Sequence, residues 1–307
     1  VTLTLRRQEP EAEDVPLPGM IGEHPLMKEV YRLVRRVAPT ELPVAIVGET
    51  GTGKELVAKA IHALGPSPEG ALVDLNCAGL PEHLVDGELF GWEQGAFTGA
   101  HRRVQGLLEL AGGGTLFLDE ACGLPEAVQA KLLRAIEQGA HRRLGGRAPV
   151  AARFRLILAI TERPDALVAR RAWRRDFAHR VSDVVVELPP LRSRRNDLAL
   201  LAKAFLARSG EAVRLSEGAL GRLLEHEWPG NVRELQRLVN RLVVLAGGDV
   251  ISEWDVAAQL GVGAQHDLVK AVAAHGGNLS QAARSLGLPR STLRRRLRRP
   301  EGGGRGH

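Results

Sequence analysis

The stretch "PVAIVGETGTGKE" constrains this chain more than any other. A short apolar run leads into a glycine-rich turn and then into a helical pattern. A junction of this kind aims backbone N–H groups at one point beside a helix N-terminus, where the dipole favours anions. Gly48, Gly51 and Gly53 let the backbone close around phosphates, and Glu49, Thr50 and Thr52 complete the loop. Lys54 is spaced to reach the β- and γ-phosphates. The next residue, Glu55, stands where such loops usually carry Ser or Thr for magnesium.

Four more apolar runs follow, "ALVDLN", "GTLFLDE", "RFRLILAI" and "DVVVELP", each separated from the next by helical spacing. Short Val/Ile/Leu-rich runs alternating with helices predict buried parallel strands, hence an α/β domain. A helix is expected before the first strand, from about His24 to Val37. Strand signals stop after Pro190, and helical patterns cover about Asp197–Ser209, Glu217–Glu227 and Val232–Ala246.

The run "GGGTLFLDE" ends in Asp119 and Glu120, about 65 residues beyond the lysine. Acids at a strand end are usually only solvated. Behind a phosphate loop they suit metal-assisted hydrolysis, Asp119 holding Mg2+ directly or through water and Glu120 polarising the attacking water. Two adjacent acids favour hydrolysis over nucleotide storage.

Composition excludes several classes. No apolar run approaches the roughly 18 residues that span a bilayer, which predicts no membrane partner. Two cysteines, Cys77 and Cys122, lack metal-ligand spacing and are expected reduced, as in a cytoplasmic protein. The net charge of +6 is localised: from Asp267 to His307 one lysine and eight arginines oppose two carboxylates, leaving the rest of the chain near neutral. A basic tail on a near-neutral body suggests a nucleic-acid-binding module, with a merely solvated basic tail as the alternative; the pattern inside the tail is what points to double-stranded DNA.

Inside that tail, "HGGNLSQAARSLGLPRSTLRRRLRR" has a helix-turn-helix pattern. Ala282, Ala283 and Leu286 suit a closely packed first helix, "GLP" makes the turn, and Leu293 with Leu297 face inward at i, i+4. Arg290, Ser291, Thr292, Arg294 and Arg295 would be presented to a major groove, with Ser280 contributing from the first helix.

The segment "ELFGWEQGAFTGAHRR" fits neither helix nor strand, because glycine weakens both. It is a bendable loop with one aromatic at its tip. With "GETGTGKE" and "GAFTGA" in this order, the sequence closely resembles the bacterial enhancer-binding proteins, AAA+ ATPases that activate sigma-54-dependent transcription. The resemblance runs from about Gly19 to Arg299, and Glu after the lysine is the family's usual form.

The resemblance implies ATP and Mg2+ as cofactors, sigma-54 RNA polymerase holoenzyme as partner, and a hexamer as the active state. The fold it implies is an AAA+ P-loop NTPase with a parallel sheet, a helical lid subdomain and a C-terminal all-α helix-turn-helix of Fis type. The expected divisions are a linker at 1–18, the α/β ATPase subdomain at 19–189, the lid at 190–247, a linker at 248–266 and the DNA-binding domain at 267–307. The chain opens on Val1 rather than methionine, which leaves room for an upstream domain.

Residue roles also follow from the resemblance. Gly95, Ala96, Phe97, Thr98, Gly99 and Ala100 form the loop that engages sigma-54, rising and falling with nucleotide state. Asn76 in "LNCAGL" would pair with Glu120 and hold it idle. Arg174 and Arg180 match the arginine-finger segment and would reach a neighbour's γ-phosphate. Thr161 takes the sensor I position, and Arg233 in "WPGNVRELQRLV" would be sensor II.

Three departures stand out. Thr161-Glu162 replaces the usual Thr-Asn, "DEACGLP" replaces "DEIGELP", and Ala178 with His179 replace an aromatic pair. They bear on hydrolysis and its coupling. Two rival readings remain: a nucleotide-gated DNA-binding regulator with little hydrolysis, supported by Glu162, and an AAA+ remodeller of some other protein.

Overall fold

A computed structural model describes residues 14–210, 212–245, 249–260, 272–285 and 290–297. They fall into two compact units, one Val1–Leu201 with Trp228–Leu235, the other Ala202–Glu227 with Gln236–His307.

In chain order the first unit contains α1 (Pro25–Val37), β1 (Val44–Val47), α2 (Lys54–Ala63), β2 (Leu72–Asn76), α3 (Glu82–Phe90), β3 (Gly91–Trp92), β4 (Val104–Gln105), α4 (Leu107–Leu110) and β5 (Thr115–Asp119). It continues with α5 (Glu126–Gln138), β6 (Ala140–His141), β7 (Val150–Ala151), β8 (Arg155–Ile160), α6 (Pro164–Ala169), α7 (Arg175–Val181) and β9 (Val184–Glu187). All five predicted strands form one parallel sheet in the order β2-β5-β8-β1-β9.

The strand period of two builds a core on each face. Val44 and Ile46 of β1, Phe117 of β5, and Ile157 and Ala159 of β8 pack with Met27, Tyr31, Val34, Val57 and Ile61 of α1 and α2. Ala45, Val47, Leu116, Leu118, Leu156, Leu158 and Ile160 pack on the other side with Val85, Leu89, Leu132 and Phe177 of α3, α5 and α7. Every residue of β8 is buried, so this central strand fixes the sheet, and cutting Ile157 to Ala would cost about 2–5 kcal/mol.

The predicted helices beyond β9 appear as α8 (Asn196–Arg208), α9 (Glu217–Glu225) and α10 (Asn231–Leu245). The segment expected as a linker, 248–266, is structured where it is described. Val250–Ile251 pairs in parallel with Arg214–Leu215, and α11 (Glu253–Leu260) packs on α9. Trp254, Val256 and Ala257 supply that helix with a buried face, and Ser252 and Asp255 exchange hydrogen bonds at its start.

The tail forms helices Leu279–Ser285 and Arg290–Leu297. Ala282, Ala283 and Leu293 are buried against Trp254, with Leu279 and Leu297 partly covered. Asn278 caps the first helix, its side-chain oxygen accepting from the N–H groups of Ser280 (3.0 Å) and Gln281 (3.2 Å). Leu286, Pro289 and the side chains of Ser291, Thr292 and Arg295 lie outside the described residues.

Candidate functional site

The ends of β1, β5 and β8 meet at one edge of the sheet. Gly48, following β1, donates its N–H to the Ile160 carbonyl at the end of β8 (3.1 Å). Asp119 ends β5 beside it, and Thr161 follows β8. This is the carboxyl edge of the strands, where open parallel sheets bind ligands.

The phosphate loop is held in shape from within and from behind. Gly51 and Gly53 have φ of 81° and 108°, values that disfavour any other residue. A Cβ on Gly51 would lie 2.3 Å from the Gly230 carbonyl oxygen. The Arg233 N–H donates to the Gly51 carbonyl (3.3 Å), so the "WPGN" turn backs the loop directly. Thr52 donates to the Glu49 carbonyl (2.8 Å). Lys54, 7% exposed, points its ammonium at the carbonyls of Gly48 (2.8 Å) and Glu49 (3.3 Å). Burial lowers its pKa, and the charges of Glu120 and Asp119 oppose that shift.

Glu49 anchors the back of the loop. Its carboxylate accepts from both terminal nitrogens of Arg192 (2.5 and 2.8 Å) and from Nδ2 of buried Asn231 (3.1 Å). Those bonds hold its pKa down at about 2. Asn231 also donates to the Thr50 carbonyl (3.1 Å) and accepts from the Leu191 N–H (2.8 Å). Glu55 departs from its expected place at the cofactor. It faces out from the first turn of α2 and pairs with Lys59 at 2.6 Å.

Asp119 accepts the Glu120 N–H on Oδ1 (2.9 Å), leaving Oδ2 for other work. Glu120 is left-handed, φ 52°, a strained setting common at functional sites. Among the described residues no cluster of three metal-binding side chains occurs. One free carboxylate oxygen at the phosphate loop suits magnesium, which is usually held by one or two carboxylates with phosphates and water.

Asn76 lies in register with Asp119, but its Oδ1 accepts from the Ala78 N–H (2.8 Å), capping a tight turn instead of meeting Glu120. Thr161 contacts Cys122, whose sulfur lies 3.3 Å from its N–H and 3.5 Å from its hydroxyl. Glu162 turns outward and forms two bonds with Arg170 (3.0 and 3.1 Å), so its charge is neutralised at the surface.

Arg174 lies against Asp176 (2.8 Å) and Glu126 (3.5 Å). Arg180 lines a cavity with the strand starts, among them Thr115 of β5 and Arg155 of β8. That is the edge opposite Lys54.

The 93–103 loop stands on the two-residue ladder of β3 and β4. Its turn is closed by Gly95 N–H to Ala100 O (2.9 Å) and Ala100 N–H to Phe97 O (3.0 Å), with Gly95 and Gly99 at positive φ. Phe97 is 50% exposed, its ring edge-on to Trp92 at 5.6 Å; Thr98 is exposed and Ala100 buried. Sequence reasoning missed what holds the loop's base. Arg143, after β6, grips Glu109 of α4 through Nε (2.7 Å) and Nη2 (2.5 Å) and Glu93 through Nη1 (2.7 Å). Arg142 and Arg143 are adjacent, and nothing in the sequence says which points inward.

A parallel sheet carrying this loop, acid pair and backing turn defines a P-loop NTPase of AAA+ type. The comparisons agree along the chain: the sigma-54 interaction domain matches residues 20–187, the AAA+ ATPase lid domain 192–271, and the Fis-family bacterial regulatory domain 268–299. The Escherichia coli K12 transcriptional regulatory protein ZraR is 41% identical over 302 residues, 92% of this chain and 68% of its own length. The DNA-binding transcriptional regulator NtrC of Azospirillum brasilense is 43% identical over 251 residues, 80% of this chain and 52% of its own. Among solved structures, NtrX from Brucella abortus in complex with ADP superposes with a TM-score of 0.72 at 31% identity, covering 91% of this chain and 68% of that one. The chain belongs to the bacterial enhancer-binding proteins, the sigma-54-dependent AAA+ transcription activators. Among the described residues no helix is long and apolar enough to cross a membrane.

Proposed function

We propose that this chain hydrolyses ATP with Mg2+ between neighbouring copies in a cytoplasmic ring, a hexamer, and spends that cycle remodelling a sigma-54 RNA polymerase closed complex. One observation carries the ring: Arg180 sits at the strand-start edge of the sheet, while Lys54 and Glu120 sit at the strand-end edge. Arg180, if it is the finger that stabilises charge at the γ-phosphate, therefore acts on the nucleotide of another copy.

Lys54 turns from its loop carbonyls to the β- and γ-phosphates, and Asp119 offers Oδ2 to the metal. When bound, the metal supplies Lewis-acid stabilisation of the phosphate oxygens. Glu120 polarises a water and takes its proton as the water oxygen bonds to the γ-phosphorus and the bridging P–O bond breaks, giving ADP and phosphate. Thr161 and Arg233 read the phosphate from β8 and from the turn behind Gly51. Phe97 and Thr98 present a partly apolar tip to sigma-54. The loop moves if nucleotide binds its raised and lowered states with different affinity. Arg290, Arg294 and Ser280, with Ser291, Thr292 and Arg295, hold upstream DNA.

The test is phosphate release per chain at rising protein concentration. A trans finger predicts turnover that climbs with assembly and collapses in Arg180→Ala at unchanged nucleotide affinity. Constant turnover per chain from dilute to concentrated protein overturns the ring.

A further inference from the structure

The two helices of the tail bring little of their own to pack with. Leu279–Ser285 and Arg290–Leu297 are 7 and 8 residues long. An isolated helix is marginal in water below about 12–15 residues, so both depend on tertiary contact. Among their described residues the fully buried side chains are Ala282, Ala283 and Leu293, at 0%, 3% and 0% exposure. Two alanines and a leucine make a thin seam. The cluster's fourth member is Trp254, 6% exposed and much its largest side chain. An indole of this kind buries about 150–250 Å² and dominates the packing around it.

Trp254 is not part of the tail. It is the second residue of α11, which is built into the helices that follow β9. Just ahead of α11, the Ser216 N–H donates to the Ile251 carbonyl (2.9 Å). A Cβ on Gly218 of α9 would lie 3.2 Å from the Cβ of Glu253, so the two helices run in close contact. Arg241 of α10 donates to Gln259 of α11 (3.4 Å). At about 100° per residue Val256 sits roughly 200° around the helix from Trp254, and it too is buried. α11 therefore has two covered sides, and Trp254 gives one of them to the tail.

Leu293 links that contact to the surface that meets DNA. Arg290 and Arg294 are exposed, one turn apart, and both lie within about 100° of Leu293 around their helix. Seating Leu293 against the indole fixes the rotation of the helix and with it the direction of both guanidiniums. We propose that Trp254 is a positioning residue for DNA binding: α11 supplies the aromatic floor on which the tail helices fold, so the arginines are presented from a fixed seat and not from a free arm. This deepens the reading above and rests on its assignment of DNA to Arg290 and Arg294.

The full chain is tested against a fluorescent mixed-sequence duplex of about 30 base pairs, by anisotropy from about 50 to 200 mM salt. Trp254→Ala should bind about tenfold or more weakly, and its slope of log affinity against log salt should flatten by about 1–2 as arginines leave the phosphates. Trp254→Phe should restore most of both. ATP turnover should stay within about twofold in either variant. Turnover lost together with DNA binding would make Trp254 a general structural residue and overturn the assignment. Adding Leu293→Ala to Trp254→Ala should weaken binding no further than the poorer single variant, because the two share one seat; fully additive losses contradict that. Unchanged affinity and slope in Trp254→Ala overturn the proposal outright. Trypsin gives a reading that needs no DNA: cleavage after the arginines of 290–297 should quicken about tenfold in Trp254→Ala. If the unsubstituted chain ignores the duplex, the DNA reading falls, and unchanged cleavage in Trp254→Ala then removes the seat as well.

Discussion

Arg143 and Glu109 form a two-pronged ion pair, 2.5 and 2.7 Å, whose side chains are 6% and 9% exposed, beneath the loop that carries Phe97. The same guanidinium holds Glu93 at the loop's start. Burial opposes the charge on Glu109, but hydrogen bonds from Arg143 and the Gly106 N–H prevail and keep its pKa below the ordinary value. Next to the pair, His141 puts Nε2 3.2 Å from the Phe90 carbonyl, with burial lowering its pKa. Removing one partner of such a pair strands the other. Arg143→Ala is expected to cost about 3 kcal/mol in chemical denaturation. It should also uncouple ATP turnover from sigma-54 capture, read as hydrolysis that persists while open complexes fail to form.

Phe97 separates contact from chemistry. Half its surface is open and its one ring neighbour among the described residues is Trp92, so Phe97→Ala should lower stability by about 1 kcal/mol or less. Nucleotide turnover is expected to stay within about twofold, because the loop lies outside the phosphate site, while sigma-54 binding is lost. Retained binding in a pull-down with purified sigma-54 would contradict the role given to this tip.

Glu120 is the reverse case. Glu120→Gln keeps shape and the left-handed turn but cannot take a proton. ATP affinity should be preserved, and turnover should fall about 10²–10⁴-fold. Tight ATP binding with near-normal phosphate release would move the base to another residue.

Glu49 predicts a pH response. Its folded pKa of about 2 lies below the ordinary 4.5, because Arg192 and then Asn231 bind the charged form. The stabilisation is therefore complete above about pH 4.5 and drains away as pH falls toward 2. The carboxylate is 41% exposed, so its contribution is about 1 kcal/mol or less. Denaturant midpoints measured between pH 6 and 3 should fall less steeply in Glu49→Gln. Nucleotide affinity should drop about tenfold in the same variant, since the bonds that brace the loop are gone.

Much of this was legible before any coordinate. Val44–Val47 and Thr115–Asp119 are strands by the length and apolar content of their runs, and Lys54, Asp119 and Thr161 converge because β1, β5 and β8 are neighbours that end on one edge. What escaped is tertiary. Glu162 could have repelled the γ-phosphate region or pointed outward, and a surface arginine eight residues on draws it outward. Asn76 accepts the Ala78 N–H on its side-chain oxygen instead of donating its amide to the Glu120 carboxylate. The helix Glu253–Leu260 is short and flanked by glycine-containing sequence, and its buried face is evident only once α9 lies against it.

Gly51 and Gly230 carry a last consequence. The carbonyl of Gly230 occupies the space any side chain at position 51 would need, and Asn231 reaches back across 181 residues to the carbonyl of Thr50. A fragment trimmed before Trp228 would keep every letter of the nucleotide signature and lose the wall that moulds it. Searching by pattern would still find such a fragment; ATP would find a slack strap where the intact chain offers a fitted cup.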